Sequence, residues 1–287
     1  MTPPQPPVVA LTGSTGALGG LVAHALADLA DRDSGRLRLL VRDPSRAPDL
    51  GLPVHVTSYA DGAAAQAALT GVDVLLMVSA SESADRRGEH RSFIAAAARA
   101  GVRHVVYTSF SGAAEDATFT LGRDHADAEA AVRSSGMTHT FLRDNFYLDV
   151  LPVFADAAGV LRGPAGSGRV AAVARADVAD VATAVLRDPG AHAGATYTLT
   201  GPEALTLGEV AERAGAATGR RLRYEEETVT EAYASRRAAY PDAADWQLDA
   251  WVSTYTAIAD GSCAAVTDDV ERLAGHPART LEQALAR

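Results

Sequence analysis

The residues with the most specific chemistry in this 287-residue sequence are Gly13-Ser14-Thr15-Gly16-Ala17-Leu18-Gly19. The glycines follow an apolar run, Val8 to Thr12, and open a segment where Leu18, Leu21, Val22, Ala25, Leu26 and Leu29 recur at helical spacing. A strand, a glycine turn and a helix in that order make a seat for a diphosphate. Gly13 can take the tight turn, Gly16 lets the backbone approach a pyrophosphate, and Gly19 lets the helix pack near the strand. The free N–H groups and positive end of the helix then face the phosphate oxygens. Residues Gly13 to Gly19 are therefore expected to bind a dinucleotide.

The next strand ends in Val41-Arg42-Asp43. An acid at this strand end would bond a ribose 2′-hydroxyl and favour NAD. Arg42 comes first, however, and its guanidinium can grip a 2′-phosphate, which favours NADP(H) with NAD(H) still open. Arg46 adds positive charge nearby, while the adjacent Asp43 opposes this preference. The sequence contains no lysine, so all 26 basic residues are arginine. That excludes a Schiff base, a lysine general base and a phosphate-loop lysine. The eight histidines show no metal-ligand spacing, and no G-x-S-x-G elbow is present.

The elements needed to position these residues are legible in the apolar runs. Further strands are expected at Arg36–Val41, Val54–Thr57, Val72–Val78, His104–Thr108 and Thr138–Leu142. Helices are expected at Ala63–Leu69, Glu89–Ala100 with a stop at Gly101, and Asp124–Ser134. Strand and helix alternate with short connections, the signature of repeated βαβ units. The predicted class is α/β, a Rossmann-type doubly wound parallel sheet with a smaller, mostly helical C-terminal lobe. The expected division is 1–152 for the dinucleotide domain and 153–287 for the lobe, with 170–200 packing back on the sheet domain. Beyond Asn145 the sequence predicts a glycine-rich turn region at Gly159–Gly168, a helix at Asp177–Leu186 and a strand at Thr196–Thr200. A capping box at Thr206/Glu209 opens a helix to about Ala217. Residues Thr230 to Ala259 read as helical with a break at Pro241, and Thr280 as the cap of a last helix. Glu225-Glu226-Glu227 reads as a solvated edge.

The formal net charge of −10 argues against nucleic acid and anionic membrane as partners. The start, Met1 to Pro7, lacks the flank and apolar stretch of a signal peptide. No apolar run is long enough to span a bilayer. The lone Cys263 allows no intrachain disulfide and reads as a small core residue. Together these predict a cytoplasmic protein.

The ordered set of motifs resembles the NmrA-like atypical short-chain dehydrogenases, and among them the bacterial type 2 NAD(P)H:quinone oxidoreductases. It comprises Thr12 to Gly19, Val41-Arg42-Asp43-Pro44, Gly71 to Leu76 with Ser79 and Ser81, and Tyr107-Thr108-Ser109. It continues with His125 and Glu129, Thr140 to Arg143, Arg175-Ala176-Asp177, and the tail from Thr267 to Pro277. The resemblance implies NADP(H) held by Gly13 to Gly19, Arg42, Ser79, Ser81 and the segment Asp144 to Tyr147, including Asn145. It also implies a substrate cleft between the sheet domain and the lobe. Two departures stand out. Ser58 precedes Tyr59 where the family often has an acid, which puts an adenine contact there in doubt. Asp144-Asn145 stands where Asn and a small residue are common.

Ordinary short-chain dehydrogenases use a Tyr-x-x-x-Lys pair, and that route is closed without lysine. Quinone reduction does not require it, because a quinone accepts hydride readily and its oxyanion can be protonated from water. The candidate catalytic groups are Ser109, His125 and Tyr147. Phe146 and Tyr147 are candidates for walling an aromatic substrate. The expected activity is NADPH-dependent reduction of quinone-like small molecules, by a monomer or a homodimer. A non-catalytic NADP(H) sensor that binds a partner protein is the alternative.

Overall fold

The computed structural model describes residues 6–29 and 36–286. Of the segment Met1 to Pro7, the first five residues lie outside that range. Seven strands form one sheet: β1 (Val9–Thr12), β2 (Leu37–Val41), β3 (Val54–Val56), β4 (Val74–Met77), β5 (His104–Phe110), β6 (Thr138–Asp144) and, late in the chain, Thr196–Leu199. Its order is β3-β2-β1-β4-β5-β6 followed by the late strand. The pairs β1–β2, β2–β3, β1–β4 and β4–β5 are all parallel. The succession runs outward from β1 to β3 and then returns to the other side of β1 with β4. Ligands of such sheets sit at this switch, beyond the carboxyl ends of the strands.

The connecting helices are α1 (Ala17–Leu29), α2 (Gly62–Leu69), α3 (Arg86–Ala100) and α4 (Thr120–Ser134). In α1, Leu18, Gly19, Val22 and Ala23 are buried, while Leu21 and Leu29 of the same apolar series are exposed. α3 begins three residues earlier than its apolar face suggests, because the Asp85 carboxylate caps it by accepting the Gly88 N–H. It stops at Gly101, which takes the left-handed conformation with φ 85°. Strands β4 and β5 are buried along their whole length, as expected of central parallel strands.

The remaining elements, in chain order, are β7 (Val160–Gly163), β8 (Arg169–Val170), α5 (Arg175–Arg187), β9 (the late sheet strand, Thr196–Leu199), β10 (Leu205–Thr206), α6 (Leu207–Thr218), β11 (Arg223–Glu226), α7 (Val229–Ala239), α8 (Asp245–Ala259), α9 (Asp269–Ala274) and α10 (Leu281–Leu285). Both bonds of the Thr206/Glu209 capping box are present, and Thr280 caps α10 in the same way.

Contacts divide the chain into two units. One comprises Met1–Ser109, Ala126–Leu142 and Ala179–Tyr197; the other Phe110–His125, Arg143–Val178 and Thr198–Arg287. The chain thus crosses between units several times, not once near residue 152. The crossings follow the long elements: β5, β6 and α5 each straddle a boundary. In the first unit, Leu75, Met77, Phe93, Val105, Tyr107 and Phe141 lie in one buried apolar cluster. In the second, Phe110, Leu151, Val170, Val210, Tyr255 and Ile258 lie in another, and Cys263 belongs to it. Burial pushes the Cys263 thiol up to about 11, in keeping with an inert core residue.

Two expectations for the second unit need correction. Gly159–Gly168 is not only a turn, because β7 lies within it and pairs in parallel with β11. Its glycines mark close approach: a Cβ on Gly163 would lie 2.2 Å from the Tyr255 ring. Glu225 to Glu227 is only in part a solvated edge. Glu225 and Glu226 belong to β11, Glu225 pairs with Arg162 and Arg223, and Glu227 pairs with Arg236 with both side chains 12% exposed. Arg236 also donates to the Arg162 carbonyl and sits 5.0 Å from the Tyr255 ring centre. In the acidic run, Glu225 and Glu227 are thus met by arginines, while Glu226 is exposed.

Candidate cofactor and active site

The glycine turn leaves β1 and enters α1 with its backbone unshielded. Gly13 has φ 69°, and the Gly16 N–H donates to its carbonyl at 2.9 Å. Gly19 is the tightest point, since a Cβ there would lie 2.3 Å from the Gly13 carbonyl oxygen. Gly16 and Ala17 are exposed, whereas Leu18 is buried, so the turn offers main chain, not the Leu18 side chain. Ser14 is 3% exposed, and its Oγ has no hydrogen-bond partner. A buried hydroxyl is rarely left so unless a ligand completes it.

Beside the turn lies a cavity of about 250 Å³. Thr12, Gly13 and Thr15 form one wall, Val41 and Arg42 the end of β2, Thr57 to Ala60 the segment after β3, and Val78 to Ser83 the segment after β4. It therefore sits at the β1/β4 switch. Ser79 and Ser81, expected from the sequence, both line it. So do Ser58 and Tyr59, which the departure from the family pattern had put in doubt.

Arg42 is exposed at the cavity, and no carboxylate pairs with it among the described residues. Asp43 is turned away into its own turn. Its Oδ1 accepts the Ser45 N–H at 2.9 Å and the Ser45 hydroxyl at 2.6 Å. These bonds, with a smaller effect of Arg46, hold its carboxyl below the usual carboxylate range. The acid whose position opposed NADP(H) is thus spent on Ser45.

Tyr59 closes the cavity from behind. Its hydroxyl donates to the Val78 carbonyl and lies 2.6 Å from the Thr12 Oγ1, which accepts the Val78 N–H at 2.9 Å. With the Tyr59 proton on Val78, the Thr12 hydroxyl is the donor to Tyr59. Burial pushes the Tyr59 phenol far above its ordinary value, so it stays neutral. Its ring stacks on Phe93 at 4.4 Å.

The catalytic candidates fall into both units, and each is described within its own. In the first, Ser109 is fully buried at the end of β5 and its Oγ donates to Glu129 Oε1 at 2.6 Å. Glu129 is 1% exposed and also accepts from Arg133 at 3.0 Å. The Ser109 proton is therefore held inward. In the second unit, Tyr147 donates its hydroxyl to Asp144. Burial and the Asp144 charge raise the Tyr147 phenol well above its ordinary value. His125 is 7% exposed, not a helix-surface residue, and lies 6.1 Å from the Phe110 ring. Phe110, Phe119 and Phe146 pack mutually at 4.8 to 5.1 Å between ring centres. Asn145 is buried and donates to the Cys263 carbonyl at 2.9 Å, while its Oδ1 accepts the Phe146 N–H at 2.8 Å. Its amide holds the segment after β6 in place.

Residues 13–189 match the family model described as NAD(P)H-binding. The chain belongs to this NAD(P)H-binding family. Among curated relatives, quinone oxidoreductase 2 of Escherichia coli strain K12 is 33% identical over 97% of this chain and 98% of its own length. A (4-alkanoyl-5-oxo-2,5-dihydrofuran-3-yl)methyl phosphate reductase of Streptomyces griseus is 37% identical over 95% of this chain and 94% of its own. A crystal structure of the NADPH-dependent quinone oxidoreductase of Escherichia coli complexed with NADPH superimposes with a TM-score of 0.85. It is 31% identical and covers 96% of this chain and 97% of that one. The chain is accordingly an NAD(P)H-dependent oxidoreductase of the NmrA-like group. Its own residues fit the cofactor: a turn closed to any Cβ at Gly19 and holding an orphaned Ser14 hydroxyl, and an uncompensated Arg42 at the cavity beside that turn.

Several residues of the oxidoreductase's site carry no sequence motif: Thr57, Glu82 and Glu89 also line the cavity. Among the described residues no helix is long and apolar enough to cross a membrane.

Proposed function

We propose that the chain transfers hydride from NADPH to quinones and similar conjugated carbonyl acceptors. The observation that carries the cofactor half is the pairing of an unopposed Arg42 with an Asp43 locked on Ser45, at the cavity beside the glycine turn. A 2′-phosphate fits the first, and the acid at the end of β2 is engaged by Ser45 and so is not offered to a 2′-hydroxyl. The acceptor half rests on the relatives. Quinone oxidoreductase 2 is named for a quinone, and the Streptomyces griseus reductase for an unsaturated lactone bearing an acyl group. Both acceptors are conjugated carbonyl compounds that take hydride and then one proton.

The bound cofactor supplies the hydride. Gly13 to Gly19 and Ser14 hold its diphosphate, Arg42 its 2′-phosphate, and Ser79 and Ser81 flank it. Without a lysine there is no Tyr-x-x-x-Lys pair to deliver the proton. The Ser109 and Tyr147 hydroxyl protons both rest on carboxylates, so neither is a ready donor. Water supplies the proton to the reduced acceptor, and His125 is the remaining candidate for orienting it. Phe119 and Phe146, half-buried and packed on the buried Phe110, are the second unit's aromatic candidates for meeting a planar acceptor.

The test is NADPH oxidation with a panel of a benzoquinone, a naphthoquinone and an acyl butenolide. Gly16→Asp, which sets a carboxylate against the diphosphate, serves as control. Turnover of a panel member well above that control is expected. No turnover above it with every acceptor overturns the proposal.

A further inference from the structure

The segment Ser79 to Ser83 walls the cofactor cavity yet belongs to no strand or helix. Three successive main-chain N–H groups leading into it, those of Val78, Ser79 and Ala80, are taken by side chains from three different elements. The Val78 N–H goes to Thr12 Oγ1 at 2.9 Å and the Ser79 N–H to Thr108 Oγ1 at 2.8 Å. The Ala80 N–H goes to His90 Nε2, also at 2.9 Å. At the other end of the same residue, Arg86 Nε donates to the Ala80 carbonyl at 3.0 Å. Ala80 is thus held at both of its polar groups by α3. Arg86 and His90 are four residues apart, so their side chains leave one face of that helix.

Both side chains are buried, at 5% and 0% exposure. The His90 ring lies 5.8 Å from that of Tyr59 and 5.9 Å from that of Tyr107. Only neutral imidazole has a lone pair to offer the Ala80 N–H. Burial, with a smaller effect of the Arg86 charge, pushes His90 down to about 3, so the acceptor persists at any working pH. Neither residue lines the cavity.

We propose that Arg86 and His90 are positioning residues for the cofactor, acting through Ala80 to fix the wall that presents Ser79 and Ser81. The inference rests on the cofactor cavity assigned above and assigns a role to two residues that do not touch the cofactor. Ordering this wall in advance removes an entropy cost that binding would otherwise carry. Loosening it therefore weakens affinity without altering the reacting groups.

The experiment compares His90→Gln, His90→Asn and His90→Leu in the full chain. The direct readouts are NADPH affinity by fluorescence titration and hydrogen exchange of the peptide spanning residues 78–83. A glutamine oxygen reaches as far as Nε2, whereas an asparagine oxygen falls short of it. His90→Asn and His90→Leu are expected to raise the NADPH Kd about tenfold, the loss of about one hydrogen bond of ~1.4 kcal/mol. The 78–83 amides should exchange faster in both. His90→Gln should stay within about threefold of the parent. Equal affinity in all variants, or equal losses in Gln and Asn, overturns the proposal. Should His90→Leu fail to fold, the Gln/Asn contrast still decides. A parent chain that does not bind NADPH removes the cofactor assignment itself, an outcome distinct from a parent that binds and variants that match it.

Discussion

Substituting Gly19 by alanine tests the geometry on which the cofactor site depends. The added Cβ would lie 2.3 Å from the Gly13 carbonyl oxygen, 2.5 Å from its carbon and 3.0 Å from the Ser14 nitrogen. All three are main-chain atoms of the turn, so no side chain can swing aside. A carbon and an oxygen in ordinary contact stand roughly 1 Å further apart than that, so α1 and the turn must separate by about this much. Overpacking of this size costs about 1–3 kcal/mol. For a chain this long that lowers the melting temperature by roughly 2–10 °C. The same movement draws the first N–H groups of α1 away from the diphosphate. Losing one hydrogen bond to a charged group costs about 1.5–3 kcal/mol, so the NADPH Kd should rise roughly 10- to 100-fold. Fluorescence titration and a thermal melt measure the two effects separately. Gly20→Ala is the matched control, because its Cβ would meet only the Ser14 carbonyl oxygen, at 3.3 Å. A Gly19→Ala variant that binds NADPH as tightly as the parent would refute the idea that this contact sets the cradle.

Four other outcomes are expected. Arg42→Glu should weaken NADPH about tenfold or more and NADH by less than about threefold in parallel titrations; equal losses would count against the 2′-phosphate contact. Tyr59→Phe strips the Val78 carbonyl and the Thr12 hydroxyl of a partner. It should cost about 1–3 kcal/mol in denaturant unfolding and weaken NADPH binding, and an unchanged midpoint would show the network to be dispensable. Arg236→Met leaves the Glu227 carboxylate and the Arg162 carbonyl without their donor. It should destabilise by about 2–4 kcal/mol, discounted slightly for residual exposure, and a melt within about 1 °C of the parent (roughly the shift of a few tenths of a kcal/mol) would contradict this. Stability should also fall on acidification. His90 is held down to about 3 and His104 to about 4, chiefly by burial, with other cationic groups adding to it. Below the unfolded histidine value of about 6.5 the unfolded chain binds protons that the folded chain does not, so stability rises with pH there. The melting temperature should drop steadily from about pH 7 to about pH 5, and His104→Gln should flatten that slope; a flat parent profile would contradict the assignment.

Much of the sheet was legible because its strands are long apolar runs with few alternatives. Val72–Val78 and His104–Thr108 locate β4 and β5 to within two residues at each end. The glycine turn was legible for a related reason: both its neighbours and its spacing follow from what a phosphate requires. The edge of α3 was not, since its start is set by the Asp85 side chain and not by apolar rhythm. Strands β7 and β11 escaped notice because one is wrapped in glycines and the other is largely charged. The groups packed against β7, Glu225 on Arg162, Arg236 on the Arg162 carbonyl and the Tyr255 ring at Gly163, are all distant in sequence. The sequence reading began this helix at Glu89, so it did not even place Arg86 on the same element as His90. What gives that pair meaning is the Ala80 peptide, whose position no local pattern reveals.

The Asp43 carboxylate, folded back on Ser45, bears on how coenzyme choice could change over time. On the proposed 2′-phosphate role of Arg42, deleting its charge alone would abandon one coenzyme without welcoming the other, because the neighbouring acid would still be engaged. A lineage drifting toward the unphosphorylated form would have to release Asp43 as well, for instance by losing the Ser45 hydroxyl. Two nearby substitutions, neither rewarding by itself, would then separate one preference from the other.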